Sequence, residues 1–151
     1  MKILVVYDSV HGNTEMIAHA IAEVMPGELR AQRVDEADPT ELASADLLIV
    51  GSPTHGALPT EATQALVDRV GPPAHGDARA ATFDTRLSWR FLERWGGFAA
   101  PKIAVLLSES GWTIAGEPGG FFVRGLKKGP LKKGEIARAA AWAKDLVGSE
   151  T

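Results

Sequence analysis

The stretch Ile3-Leu4-Val5-Val6-Tyr7-Asp8-Ser9-Val10-His11-Gly12-Asn13-Thr14 decides how the rest of the chain is read. Ile3 to Tyr7 is an unbroken β-branched and aromatic run, the pattern of a strand buried on both faces. From Glu15 to Met25 the residues Met16, Ile17, Ala20, Ile21 and Val24 recur at helical spacing, and Pro26-Gly27 stop the pattern. Between strand and helix lies a turn rich in hydroxyls with a glycine in its middle. The first amides of a helix have no partner within it, and here they point where Ser9, Asn13 and Thr14 can add side-chain donors. A phosphate suits that spot. The helix dipole favours an anion by roughly 0.3–1 kcal/mol when exposed, and each hydrogen bond to a charged acceptor adds on the order of 1.5–3 kcal/mol. The plainer alternative is that one of these side chains only caps the helix.

Outward from this turn, Glu28 to Val34 alternates imperfectly and carries Arg30, Gln32 and Arg33, as an edge strand would. Asp38-Pro39-Thr40-Glu41 reads as a capping box opening a short helix through Ala45. Leu47-Leu48-Ile49-Val50 is a second wholly apolar strand, closed by Gly51. A helix follows from Pro59 to Val70, with Ala62, Leu66 and Val70 inward, ended by Gly71-Pro72-Pro73. Ala78 to Phe83 signals a strand only weakly. Lys102 to Leu107 is an apolar run that reads equally as strand or buried helix. Trp112 to Ala115 and Phe121 to Val123, interrupted by Glu117-Pro118-Gly119-Gly120, make a fifth strand region. The last helix runs from Glu135 to Val147 with Ile136, Ala139, Ala140, Ala143 and Val147 inward. Lys127 to Lys133 is the one marked charge run, either a solvated loop or a docking patch for an acidic partner. Buried strands separated by helices argue for a parallel sheet covered on both faces.

At 151 residues the chain is expected to be one domain. With no cysteine it has no disulfide, thiolate cluster or cysteine nucleophile. The opening apolar run is too short for a signal peptide and no run spans a bilayer, so a cytoplasmic protein without membrane contact is expected. A net charge of −3 argues against non-specific nucleic-acid binding.

Ser9-Val10-His11-Gly12-Asn13-Thr14, directly after the first strand, resembles the phosphate-binding loop of flavodoxins, Ser/Thr-x-Thr-Gly-Asn-Thr. His11 stands where that family has a hydroxyl, and its imidazole N–H can take the same place. Gly51-Ser52-Pro53-Thr54-His55-Gly56 is similar to the family's second loop, and Thr82-Phe83-Asp84-Thr85-Arg86 resembles the end of the fourth strand and the loop after it. The resemblance covers most of the chain. It implies a three-layer α/β sandwich around a five-stranded parallel sheet of order 2-1-3-4-5, a fourth strand ending at Phe83, and a helix over Ala99 to Ser110.

It also implies FMN as cofactor. The phosphate would lie at Ser9, Val10, His11, Gly12, Asn13 and Thr14, and the isoalloxazine ring between Pro53, Thr54, His55 and Gly56 on one side and Asp84, Thr85 and Arg86 on the other. His55 reads equally as a solvated loop residue, and Asp84 and Arg86 each as a turn residue or part of a surface ion pair. The Gly56–Ala57 peptide can turn its carbonyl toward the ring, because glycine permits positive φ. No large aromatic stands in the second loop, so Phe83, Trp89 or Trp112 is left to cover the ring, which is expected to be open on one face. With cations at His55 and Arg86 and a modest net charge, reduction is expected to be easier than in strongly acidic relatives.

The implied function is an electron-transfer protein passing one or two electrons, as a monomer or weak dimer, to a redox protein partner or a small donor or acceptor. An FMN-dependent oxidoreductase acting on a quinone, NAD(P)H or a porphyrinogen is the alternative. A phosphoacceptor receiver domain is disfavoured, since the third strand ends in Gly51-Ser52-Pro53 rather than in an acid. A nucleotide-hydrolase loop is disfavoured too, since no lysine follows Gly12.

Overall fold

In a computed structural model, which describes residues 1–27, 29–87, 97–124 and 129–148, the opening run forms strand β1 (Ile3–Tyr7) and passes through the turn into helix α1 (Asn13–Val24). Next come β2 (Ala31–Arg33), α2 (Pro39–Ala43), β3 (Leu47–Pro53), α3 (Glu61–Val70), β4 (Arg79–Leu87), α4 (Ala99–Glu109), β5 (Thr113–Ile114), β6 (Gly119–Val123) and α5 (Glu135–Gly148). The strands are parallel in the order β2-β1-β3-β4-β5. β5 pairs with the start of β4, and β6 with its end, so the fifth position is one strand broken around Glu117-Pro118. β2 is an edge, as its charges predict. Glu28, Trp89, Lys127 and Lys128 lie outside the described residues.

Each sheet face carries its own apolar core. Ile17, Ile21, Ala139, Ala143 and Leu146 of α1 and α5 pack on Ile3, Val5, Ile49, Phe83 and Phe121. Leu42, Leu66, Val67, Ile103 and Leu107 of α2, α3 and α4 pack on Val6, Leu48, Val50 and Ala80. Some inward assignments from periodicity need correcting. Met16 is 52% and Ile136 41% exposed, and Ala62 is exposed as well. Thr60 starts α3 one residue ahead of Glu61, its Oγ1 accepting from the Thr63 amide at 3.3 Å, and this turns Thr63, Leu66, Val67 and Val70 inward. In α5 the buried Glu135 takes the inward place expected of Ile136, because its carboxylate accepts from the Phe122 amide at 2.7 Å.

β4 is longer than expected. Asp84, Thr85 and Arg86 are strand residues, because Asp84 and Thr85 pair with Ser52 and Pro53 of β3 and all three pair with Gly120, Phe121 and Phe122 of β6. Phe83 is fully buried, edge-on to Phe121 and Trp142, and Trp112 is 2% exposed with its indole N–H on the Gly71 carbonyl at 2.9 Å. Both are core residues, which removes them as covers for a ligand.

The single tyrosine closes β1. Tyr7 Oη donates to Glu15 Oε1 at 2.7 Å. Burial, seconded by this bond and by the Glu15 charge, pushes the phenol from 10.0 up to about 12. The proton is held more tightly in the folded state, so this contribution to stability is complete below pH 10 and is lost as the pH rises through about 12. Absorbance at about 295 nm should therefore show tyrosinate forming near pH 12 in the folded protein. Glu15→Gln should bring that midpoint down, and a midpoint near 10 in the parent chain would contradict the packing described.

Candidate functional site

The strand order reverses between β1 and β3, and ligands of open α/β sheets bind beyond the carboxyl ends of strands at such a point. There lies a cavity of about 330 Å³. The loop after β1 supplies Val10, His11, Asn13 and Thr14, the end of β3 and its loop Pro53 to Ala57, and the end of β4 Thr85, Arg86 and Leu87. Gly97, Phe98 and Val123 complete the lining among the described residues.

The loop after β1 is tied down by its own side chains. Gly12, at φ 90°, holds the cap position of α1 and has no side chain to offer. Ser9 reaches forward instead, its Oγ accepting from the amides of Gly12 at 3.1 Å and Glu15 at 3.3 Å. Asn13 Nδ2 donates to the Gly129 carbonyl at 2.7 Å, and the buried hydroxyls of Thr14 and Thr85 share a hydrogen bond of 2.7 Å. Asp8 accepts from the Ser9 amide at 2.9 Å and from Thr60 Oγ1 at 2.6 Å, which joins the loop to the start of α3. The side chains of Ser9, Asn13 and Thr14 are thus spent on shaping the loop. The main-chain amides of Asn13 and Thr14 meet no acceptor among the described residues. The feature left for an anion is the backbone at the start of α1.

Across the cavity, His55 and Leu58 exchange both backbone hydrogen bonds, at 2.8 and 3.0 Å, around Gly56 and Ala57. Both central residues have positive φ, 56° and 67°, as in a type I′ turn. Lys102 Nζ donates to the Ala57 carbonyl at 2.6 Å and fixes the turn to α4. A left-handed alanine costs about 1 kcal/mol that glycine does not. Gly56→Ala should therefore lower stability by about 1 kcal/mol, whereas Ala57→Gly should cost nothing, since relief of strain offsets the added chain freedom of about 0.5–1 kcal/mol. Thermal melts of the two variants check this ordering.

α4 has no cap of its own at Phe98, and its first amides are satisfied from the strand ends: Ala99 donates to Thr54 Oγ1 at 3.0 Å, and Ala100 to Asp84 Oδ2 at 2.8 Å. Asp84 is fully buried. Burial pushes its carboxyl above the ordinary range, against the pull of Arg86, the Ala100 amide and Thr54. Arg86 grips it with Nε and Nη2 at 2.7 and 2.8 Å, so the two form an ion pair with each other, in the interior and not at the surface as expected. Thr85, Arg86, Pro53, Thr54, His55 and Gly56 reach the cavity, while Ser9, Gly12 and Asp84 stand behind its wall. Among the described residues Phe98 is the Phe, Tyr or Trp of the lining, with its ring over Arg86, and it is not among the candidates that the sequence points to. Among the described residues no group of His, Asp and Glu could hold a metal ion, and no helix is long and apolar enough to cross a membrane.

Residues 4–72 match a model of the flavodoxin domain. A flavodoxin of Aquifex aeolicus (strain VF5) is 32% identical over an alignment 124 residues long, which covers 76% of this chain and 64% of that protein. Oxidised Flavodoxin 1 from Bacillus cereus superposes with a TM-score of 0.79 at 20% identity, over 98% of both chains. Oxidised Flavodoxin 2 from the same organism also gives 0.79, at 22% identity and over 99% of both chains. At those identities the two structures speak for the fold, and the domain match and the Aquifex relative add a likeness in sequence, over about two thirds of that relative's length. The chain has the flavodoxin fold, and residues 4–72 resemble the flavodoxin domain in sequence.

Proposed function

We propose that this chain binds FMN in the cavity and serves as an electron-transfer protein. The observation that carries the reading is the start of α1, where the amides of Asn13 and Thr14 have no protein acceptor among the described residues and both residues line the cavity. A dianionic phosphate ester fits such a helix start. At about 330 Å³ the cavity is within the range of small-molecule sites, about 300–1,000 Å³. The loop from Val10 to Thr14 holds the phosphate through its main chain, with Ser9 and Gly12 setting its shape. Pro53, Thr54, His55 and Gly56 flank one edge of the ring, and Thr85, Arg86 and Phe98 the other, with Asp84 as the anchor of Arg86. When bound, FMN supplies the redox chemistry, one or two electrons at a time, while the protein binds and orients it and excludes water. The partner is a redox protein or a small donor or acceptor, met by a soluble, cytoplasmic, single-domain monomer or weak dimer.

An absorption scan of protein purified without added cofactor tests the reading. Yellow bands that survive gel filtration and are released on heating as FMN support it. A colourless protein that also fails to take up added FMN removes it.

The second reading, an FMN-dependent oxidoreductase, draws on the low wall at Pro53 to Ala57, where His55 is the largest side chain and no Phe, Tyr or Trp stands. Such a wall leaves room for a hydride donor or a quinone. Rapid mixing with NADH or NADPH separates the two: prompt bleaching of the flavin makes the chain a reductase, and slow bleaching leaves it a carrier.

A further inference from the structure

The guanidinium of Arg86 is gripped from several sides. Nε and Nη2 donate to the two oxygens of buried Asp84 at 2.7 and 2.8 Å. The Phe98 ring covers one face, its centroid 3.7 Å from Cζ. Gly120 of β6 makes the seat possible, for a Cβ there would stand 2.3 Å from the same Cζ. Only 14% of the side chain is exposed, and Arg86 lines the cavity. Nη1 is the guanidinium nitrogen without a hydrogen-bond partner among the described residues. An arginine on an open surface would sample many rotamers and be screened by water. This one is a permanent cation whose donor direction is set before any ligand arrives.

We infer that the Asp84–Arg86–Phe98 seat makes the cavity prefer the more negative redox state of its ligand, with Nη1 donating to the electron-rich edge of the bound ring. The inference rests on the FMN reading above and adds to it a redox-selecting residue. Uptake of two electrons from a reduced dye and of one proton from water leaves the ring one charge more negative. The guanidinium stands on the wall and the Asp84 carboxylate behind it, so the ring meets the positive end of the pair, which binds that state more tightly than the oxidised one. By linkage, tighter binding of the reduced state raises the midpoint potential, by about 30 mV for each tenfold of preference in a two-electron couple.

Two measurements on the purified chain loaded with riboflavin 5′-phosphate test this: the dissociation constant of the oxidised complex by fluorescence quenching, and the midpoint potential by equilibration with redox dyes. Arg86→Gln should weaken binding of the reduced state roughly tenfold more than that of the oxidised state, lowering the potential by about 30 mV. Gly120→Ala keeps the arginine but pushes it off its seat, and should lower the potential in the same direction. Arg86→Lys, with the charge but not the fork, should fall between parent and Arg86→Gln. If Arg86→Gln or Gly120→Ala binds FMN with an unchanged potential, or loses both redox states equally, the inference is overturned while the site reading stands. If the parent chain binds no FMN, the site reading itself falls, and the inference with it.

Discussion

Gly51→Ala should destabilise the protein by about 3 kcal/mol, the upper end of the usual cost of overpacking a core. The reason lies in one row of the sheet. Tyr7, Gly51, Phe83 and Gly119 are register partners across β1, β3, β4 and β6, so their side-chain positions share the face covered by α1 and α5. Large and absent side chains alternate along the row, and the Phe83 ring spreads over Gly51. A Cβ at Gly51 would stand 2.0 Å from Phe83 Cζ. The ring cannot swing aside, because Phe121 and Trp142 pack edge-on against it with centroids 6.4 and 6.2 Å away. Phe83→Ala should cost about 4 kcal/mol for the cavity it leaves. The two changes should not add, since the new Cβ enters part of the vacated space, and a coupling of about 1–2 kcal/mol is expected. Urea unfolding followed by tryptophan fluorescence measures all three. A Gly51→Ala variant within about 1 kcal/mol of the parent would mean that the row is looser than described.

Asp84→Ala should cost about 3–5 kcal/mol, the usual consequence of removing one partner of a buried ion pair. Asp84 is fully buried, and it is the acceptor for Arg86 Nε and Nη2 and for the Ala100 amide that opens α4. Without it a guanidinium and a helix amide are left unpaired in a nearly dry place, and the amide alone accounts for about 1–3 kcal/mol. Because most of the penalty belongs to the stranded cation, Asp84→Ala combined with Arg86→Met should be more stable than Asp84→Ala alone. If the double variant is the weaker of the two, Arg86 has another anchor that outweighs Asp84.

How much of this was legible in the chain depends on what each segment buries. β1 and β3 touch apolar layers on both faces, so their composition betrays them, and the turn between β1 and α1 stands out because its polar residues interrupt two apolar elements. β4 does not stand out. It opens with Arg79, Ala80 and Ala81 and goes on to bury Thr82, Asp84 and Thr85, which are satisfied by the Ala100 carbonyl, the Ala100 amide and the Thr14 hydroxyl. Those partners sit far away in sequence, and a local pattern cannot show that a polar residue is paired. The same holds for α4, whose apolar run fits either period until Thr54 and Asp84 are seen to cap it. Three of the loop side chains expected to face the anion turned out to hold the loop together, since hydroxyl and amide groups serve either purpose until distances are known. Phe98 carried no signal of its own, because a lone aromatic before a helix is most often core.

Binding of FMN in the cavity would rest on the backbone amides at the start of α1, and comparing riboflavin 5′-phosphate with riboflavin tests them most directly. Two charge-assisted hydrogen bonds at about 1.5–3 kcal/mol each should favour the phosphorylated ligand by at least about a hundredfold. A fluorescence titration of the cofactor-free chain should therefore show micromolar or tighter binding of the phosphate ester and far weaker binding of riboflavin. Equal affinity for the two, or none for either, would contradict the account.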